Sequence, residues 1–80
     1  MVQALMTLPP QLRAARAIIA MSQADLAAEA GVSVSTVKRA EGTIQPPASP
    51  DAIAAIRAAL EAQGVEFTNG DAPGVRLRKG

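Results

Sequence analysis

Residues 22–42 constrain the fold most, because this short segment carries the start and stop signals of two consecutive helices. Ser22 is a good N-cap, and Asp25 three residues later makes a weak version of a capping box. We therefore expect a helix over residues 22–30. Gly31 follows it, and glycine takes the left-handed backbone conformation of a helix end at low cost.

The second helix of this segment begins almost at once. Ser33 can cap a helix over residues 34–41, and Gly42 then ends it. Two short helices joined by a three-residue turn are a specific arrangement rather than a generic pair of helices.

Two longer helices flank the pair. Pro9 and Pro10 favour a helix start, so we expect a helix over residues 10–20. Its buried face has apolar residues three and four apart, Leu12, Ala15 and Ile19. A second helix is predicted over residues 50–63 from an N-cap, a first-turn proline and an acid, Ser49, Pro50 and Asp51. The apolar stripe of this helix is Ile53, Ile56 and Leu60.

The C-terminal segment changes to a period of two and predicts a β-hairpin over residues 65–78, with its turn within residues 68–74. The register that fits has three cross-strand pairs, Val65 with Leu77, Glu66 with Arg76, and Phe67 with Val75. This register puts the apolar side chains on one face and an opposite-charge pair on the other. Because an isolated hairpin is marginal in water, we expect it to pack on the helices or on the hairpin of a second copy.

Composition limits the alternatives. The 80 residues suit one domain, and they contain no cysteine and no histidine, which argues against a disulfide and a structural zinc site. We expect no secretory signal and no bilayer-spanning segment, and a cytoplasmic location. The net charge of +1 gives little support to nucleic-acid binding, so that inference depends on the pattern of residues.

The sequence SQADLAAEAGVSVSTVKRAEG, residues 22–42, resembles the helix-turn-helix of the Cro/C1-type (XRE) family of phage and bacterial regulators. The matching positions are Gln23, Leu26, Ala27, Gly31, Val32, Val37 and Glu41. The resemblance implies a mainly α fold, a lambda-repressor-like DNA-binding domain of four to five helices, here followed by the hairpin. The tail, GVEFTNGDAPGVRLRK, is similar to the hairpin that follows the helices in some small regulators of this family.

The resemblance also implies an ion pair between Arg16 and Glu41 that ties the first helix to the end of the third and is structural rather than catalytic. One position departs from the family. Many members have a polar amide after the glutamate that helps to hold a phosphate, whereas this chain has Gly42, which can offer only its backbone N–H.

By the family's pattern, the third helix enters the major groove of DNA and presents Val34, Ser35 and Arg39 to base edges. Arg39 can bond a guanine bidentately, and Val34 can contact a thymine methyl. The residues expected to hold phosphates are Gln23, Ser33, Thr36, Lys38 and the backbone around Thr43.

Simpler interpretations stand beside these. Lys38 can be a solvated lysine, and Arg39 can form a surface ion pair. In the tail, Arg76 is expected to pair with Glu66, while Arg78 and Lys79 either reach flanking phosphates or are solvated.

The function that follows is a homodimeric transcriptional regulator, acting as a repressor on double-stranded DNA, with no cofactor and no metal. The alternative is an antitoxin that binds a toxin and represses its own operon, and the protein partner is then a toxin or an antirepressor. An enzyme is not expected. Residues 35–38 match the S-x-x-K signature of penicilloyl-serine transferases, but the companion motifs are missing, so no catalytic residue is predicted.

Overall fold

A computed structural model describes residues 7–68 and 73–78. Its elements, in chain order, are α1 Pro9–Ile18, α2 Gln23–Ala30, α3 Val34–Ala40, α4 Pro50–Ala62, β1 Val65–Thr68 and β2 Gly74–Leu77. The prediction of a mainly helical domain with a C-terminal hairpin is confirmed, with four helices in the described residues. The bounds differ from the predicted ones by one or two residues at several helix ends.

The core is built from aliphatic side chains of all four described helices and of β1. Its buried members are Leu12, Ala15, Leu26, Ala27, Val37, Ala40, Ile56, Leu60 and Val65. Each fully buried leucine or isoleucine contributes about 1.5–3 kcal/mol. Because α2 packs against both α3 and α4, the pair of short helices has a fixed base.

Three of the four helices begin with a serine cap. The hydroxyl oxygens of Ser22, Ser33 and Ser49 accept hydrogen bonds from backbone N–H groups three residues later, at 3.0, 3.0 and 3.1 Å. A cap of this kind contributes about 1 kcal/mol. These local bonds explain why the starts of α2, α3 and α4 were predictable from sequence.

The end of α1 was predicted wrongly. The helix ends at Ile18 rather than near Ala20, and Ala20 has a φ of +54°. The N–H of Ala20 donates to Ala17 O at 3.1 Å and that of Met21 donates to Arg16 O at 3.0 Å. This is the geometry of a Schellman end, which α2 and α3 complete with Gly31 and Gly42, both of positive φ. This left-handed conformation costs an alanine roughly 1 kcal/mol. Nothing in the sequence indicates that the helix ends at Ile18.

The hairpin has the predicted register, and it packs on α1 and α4 of the same chain. Val65 is fully buried, and the Arg57 guanidinium lies 4.8 Å from the centre of the Phe67 ring. The apolar face is less complete than expected, because Leu77 is 48% exposed. The predicted turn falls largely on residues 69–72, outside the described residues.

Gln11 joins the hairpin to the helices and was not predicted. Its Nε2 donates to the carbonyl oxygens of Thr68 and Gly74, at 3.1 and 3.0 Å, and its Oε1 accepts from the Leu8 N–H at 2.8 Å. Gln11 lies one turn before Ala15 on the buried face of α1. A polar residue on an apolar stripe was the signal that could have identified it.

Candidate nucleic-acid interface

The exposed surface of α3 is the first component of the interface. Val37 and Ala40 anchor the helix in the core. Val34 and Ser35, at its N-terminal end, are exposed, and so is Lys38. The helix therefore offers its first turn to a partner, as a recognition helix requires. The base and phosphate contacts assigned to these side chains stay predictions.

Ser33 and Thr36 form a small hydroxyl pair beside this turn. Besides capping the helix, the Ser33 Oγ lies 2.9 Å from the Thr36 Oγ1, and either hydroxyl can be the donor. Two hydroxyls carry two protons. One proton is used between them, which leaves one O–H free for a phosphate oxygen.

Arg39 is the residue of α3 to which guanine readout is assigned. Its side chain is only partly exposed, and its Nε is buried without a hydrogen-bond partner among the described residues. The surface ion pair considered for it is also absent from the residues that the structure describes. The Nε of the guanidinium is therefore covered by the protein, while the residue as a whole stays partly exposed. A buried donor without a partner is costly, which favours a change of pose when an acceptor arrives.

The segment after α3 has its donors engaged. The Gly42 N–H donates to Arg39 O at 3.1 Å, so the suggestion that it remains available for a phosphate is wrong in this conformation. The N–H and the hydroxyl of Thr43 both donate to Lys38 O, at 2.9 and 3.0 Å. The donors at Thr43 serve to close the end of α3.

Behind these groups lies the ion pair that the family resemblance implied. Arg16 Nε donates to Glu41 Oε2 at 2.8 Å, and Arg16 Nη2 donates to Glu41 Oε1 at 3.2 Å. Glu41 is 1% exposed. Arg16 also donates through Nη1 to Met21 O at 3.1 Å, so one guanidinium holds the end of α1, the approach to α2 and the end of α3 together.

Gln23 joins the same network. Its Nε2 donates to Glu41 Oε1 at 3.1 Å. Sequence reasoning assigned Gln23 to a phosphate and Glu41 to the ion pair, and it did not connect the two. Their separation of 18 residues leaves no local signal.

The exposed charge near α3 is modest. Among the described cations, Arg16 and Arg76 are paired with Glu41 and Glu66, so their charges are largely balanced. Arg78 is exposed on the hairpin, and Lys79 lies outside the described residues. The helix α3 itself contributes two cations, the exposed Lys38 and the partly exposed Arg39.

The comparisons with known proteins agree with this geometry. A family model described as a helix-turn-helix domain matches residues 10–68, about three quarters of the chain. The chain belongs to this helix-turn-helix family. A helix-turn-helix domain is a DNA-binding domain, typical of transcription regulators. No curated protein matches the chain. In the part of the chain that the structure describes, no helix has the length and apolar character to cross a membrane.

Proposed function

We propose that the protein is a sequence-specific regulator of transcription, of the Cro/C1 (XRE) type, which represses genes by binding double-stranded DNA as a homodimer in the cytoplasm. The observation that carries this proposal is the exposed first turn of α3, held in place by the buried Arg16–Glu41 pair. A rigidly supported helix end of this kind can enter a major groove in one orientation.

Base readout is assigned to three residues of α3. The Arg39 side chain moves on binding, and its guanidinium donates to the O6 and N7 atoms of a guanine. The move takes the Nε–H, which lacks a partner in the free protein, out of its buried position. Val34 contacts a thymine methyl. Ser35 is short and accommodates more than one base.

Phosphate contacts fix the register without reading sequence. They are assigned to Gln23, to the free hydroxyl proton of the Ser33–Thr36 pair, and to Lys38. Because the net charge of the chain is only +1, we expect a shallower dependence of affinity on salt than a strongly basic protein shows.

Dimerisation is proposed because one recognition helix contacts too few base pairs for selectivity, so two half-sites about 10 bp apart are needed. Leu77 on the hairpin and Leu8 before α1 are large exposed apolar side chains outside α3. They are candidates for the contact between copies. No enzymatic activity is proposed.

The test is selection of bound sites from a random duplex library, followed by titration of the selected site at modest salt. We expect a palindromic site with half-sites about one helical turn apart. Light scattering of the complex should give the mass of the duplex plus two copies of the chain. Affinity that is equal for selected and random DNA, at every salt concentration, would refute sequence-specific regulation.

A further inference from the structure

The network around Glu41 extends from the core to a predicted DNA contact. Its carboxylate accepts three N–H groups, two from Arg16 and one from the Gln23 amide. Glu41 is almost fully buried, whereas Gln23 is partly exposed at the first position of α2. Arg16 and Gln23 both contact the buried carboxylate and are partly exposed, and Gln23 is the one that lies at the start of α2, beside α3.

The chemistry of the amide determines which of its atoms remain available. A carboxylate only accepts hydrogen bonds, so Gln23 must present its Nε2, and not its Oε1, to Glu41. A primary amide carries two N–H groups on that nitrogen. One is used by Glu41, and the other is left to donate. A phosphate oxygen, which also only accepts, is a suitable partner for it.

The charges are compatible with this arrangement. An unpaired carboxylate near a phosphate would repel it. Glu41 is buried, and the Arg16 guanidinium paired with it balances its negative charge. The bond from Gln23 to the charged oxygen is stronger than one to a neutral acceptor. It also removes rotamer freedom from a flexible side chain before DNA arrives, which lowers the entropy lost on binding.

We propose that Glu41 is a positioning residue for DNA: it holds the Gln23 amide so that the second Nε2 hydrogen donates to a backbone phosphate. This inference rests on the proposed function. It goes beyond the structural role of the Arg16–Glu41 pair, because it makes one phosphate contact depend on a carboxylate that does not itself touch DNA.

The experiment replaces operator phosphates one at a time with uncharged methylphosphonates and measures affinity for three proteins. For the wild type, one phosphate in each half-site should cost roughly tenfold, the effect of one charge-assisted hydrogen bond. The same replacement should have no effect on Gln23→Ala, which assigns that phosphate to Gln23. For Glu41→Gln, replacing that phosphate should lower affinity by about twofold or less. Replacing any other phosphate should lower affinity as much as it does for the wild type.

Glu66→Gln is the matched control, because it makes the same chemical change in the exposed ion pair of the hairpin. Its phosphate profile should equal that of the wild type. A Glu41→Gln profile that is weaker everywhere but unchanged in shape would mean that Glu41 only stabilises the fold, and it would overturn the proposal.

A second measurement covers the case in which Glu41→Gln does not fold. Nitrogen relaxation of the side-chain amides in the free wild-type protein should show Gln23 restrained and the exposed Gln63 mobile. Equal mobility of the two amides would overturn the proposal. A wild type that prefers no DNA sequence refutes the proposed function, whereas one that binds its operator with no phosphate assignable to Gln23 refutes this inference alone.

Discussion

The chain contains two arginine–glutamate pairs of similar chemistry in opposite surroundings. In the helical part, Arg16 and Glu41 are 24% and 1% exposed, and Arg16 donates two hydrogen bonds to the carboxylate. In the hairpin, Arg76 and Glu66 are 72% and 33% exposed and share one. The first pair joins elements 25 residues apart, while the second only links neighbouring strands. Burial and the number of elements joined, rather than the ion pair itself, should decide what each contributes.

The largest expected effect is that of Arg16→Ala. It leaves the buried Glu41 carboxylate with one remaining N–H donor, from Gln23, and it also removes the bond to Met21 O. Removing one partner of a buried pair costs about 3 kcal/mol or more. Urea denaturation should show this loss in the free energy of unfolding. DNA affinity should fall as the folded fraction falls, so a variant with wild-type stability and no DNA binding would contradict the structural role of Arg16.

The two ion pairs also differ in how far sequence could predict them, because only the hairpin pair follows from local signals. Caps such as Ser22 and Ser33 act on N–H groups three residues away, and strand alternation sets the register of Val65 with Leu77. These signals are local, and the predictions from them are confirmed. The Arg16–Glu41 pair is not local, and only the family resemblance implied it.

What sequence missed depends on the assembled fold. Gln11 bonds to Thr68 O, 57 residues away, and Gln23 bonds to Glu41 only because α2 and α3 are packed together. The Gly42 N–H is a local exception, because it donates to Arg39 O three residues back, where α3 ends. The pose of Arg39 depends on its neighbours in three dimensions. The apolar stripe of α1 marks Gln11 as a buried polar residue, but no periodicity or spacing shows which distant groups Gln11 and Gln23 bond.

The next effect concerns binding rather than stability. Arg39→Ala should cost roughly 1–3 kcal/mol on the operator and relax discrimination at one base position of each half-site. Lys38→Ala should instead weaken binding to all sequences alike, since phosphate contacts carry no sequence information. Val34→Ala should have a smaller effect, at a thymine position only.

Each of these variants is titrated against operators substituted one base pair at a time. The Nε of Arg39 has no hydrogen-bond partner, and the side chain makes none of the ion pairs among the described residues. Arg39→Ala should therefore leave the melting temperature nearly unchanged. If Lys38→Ala lost affinity at one base and Arg39→Ala lost it everywhere, the two roles would have to be exchanged.

A smaller effect is expected where the hairpin joins the helices. Gln11→Met keeps the length and bulk of the side chain but removes its hydrogen bonds to Thr68 O, Gly74 O and the Leu8 N–H. The expected cost is about 1–2 kcal/mol, because water can replace some of these partners. Hydrogen exchange should quicken at the Arg78 N–H, which bonds Gly64 O beside the hairpin. Exchange at the Glu41 N–H, in α3, should change only as much as global stability does.

The smallest effect is that of Arg76→Ala, the counterpart of Arg16→Ala. An exposed pair gains little from Coulomb attraction because water screens it, so we expect a loss of less than about 1 kcal/mol. Adding salt should reduce even this loss, because exposed charges are screened further. The two arginine variants are compared by urea denaturation at low and high salt, in the same buffer. The loss for Arg16→Ala should persist at high salt, since burial shields that pair from mobile ions. If Arg76→Ala cost as much as Arg16→Ala and the cost did not respond to salt, the Glu66–Arg76 pair would have to be covered in solution. The surface that covers it would then be a second copy of the hairpin, as the dimer proposal allows.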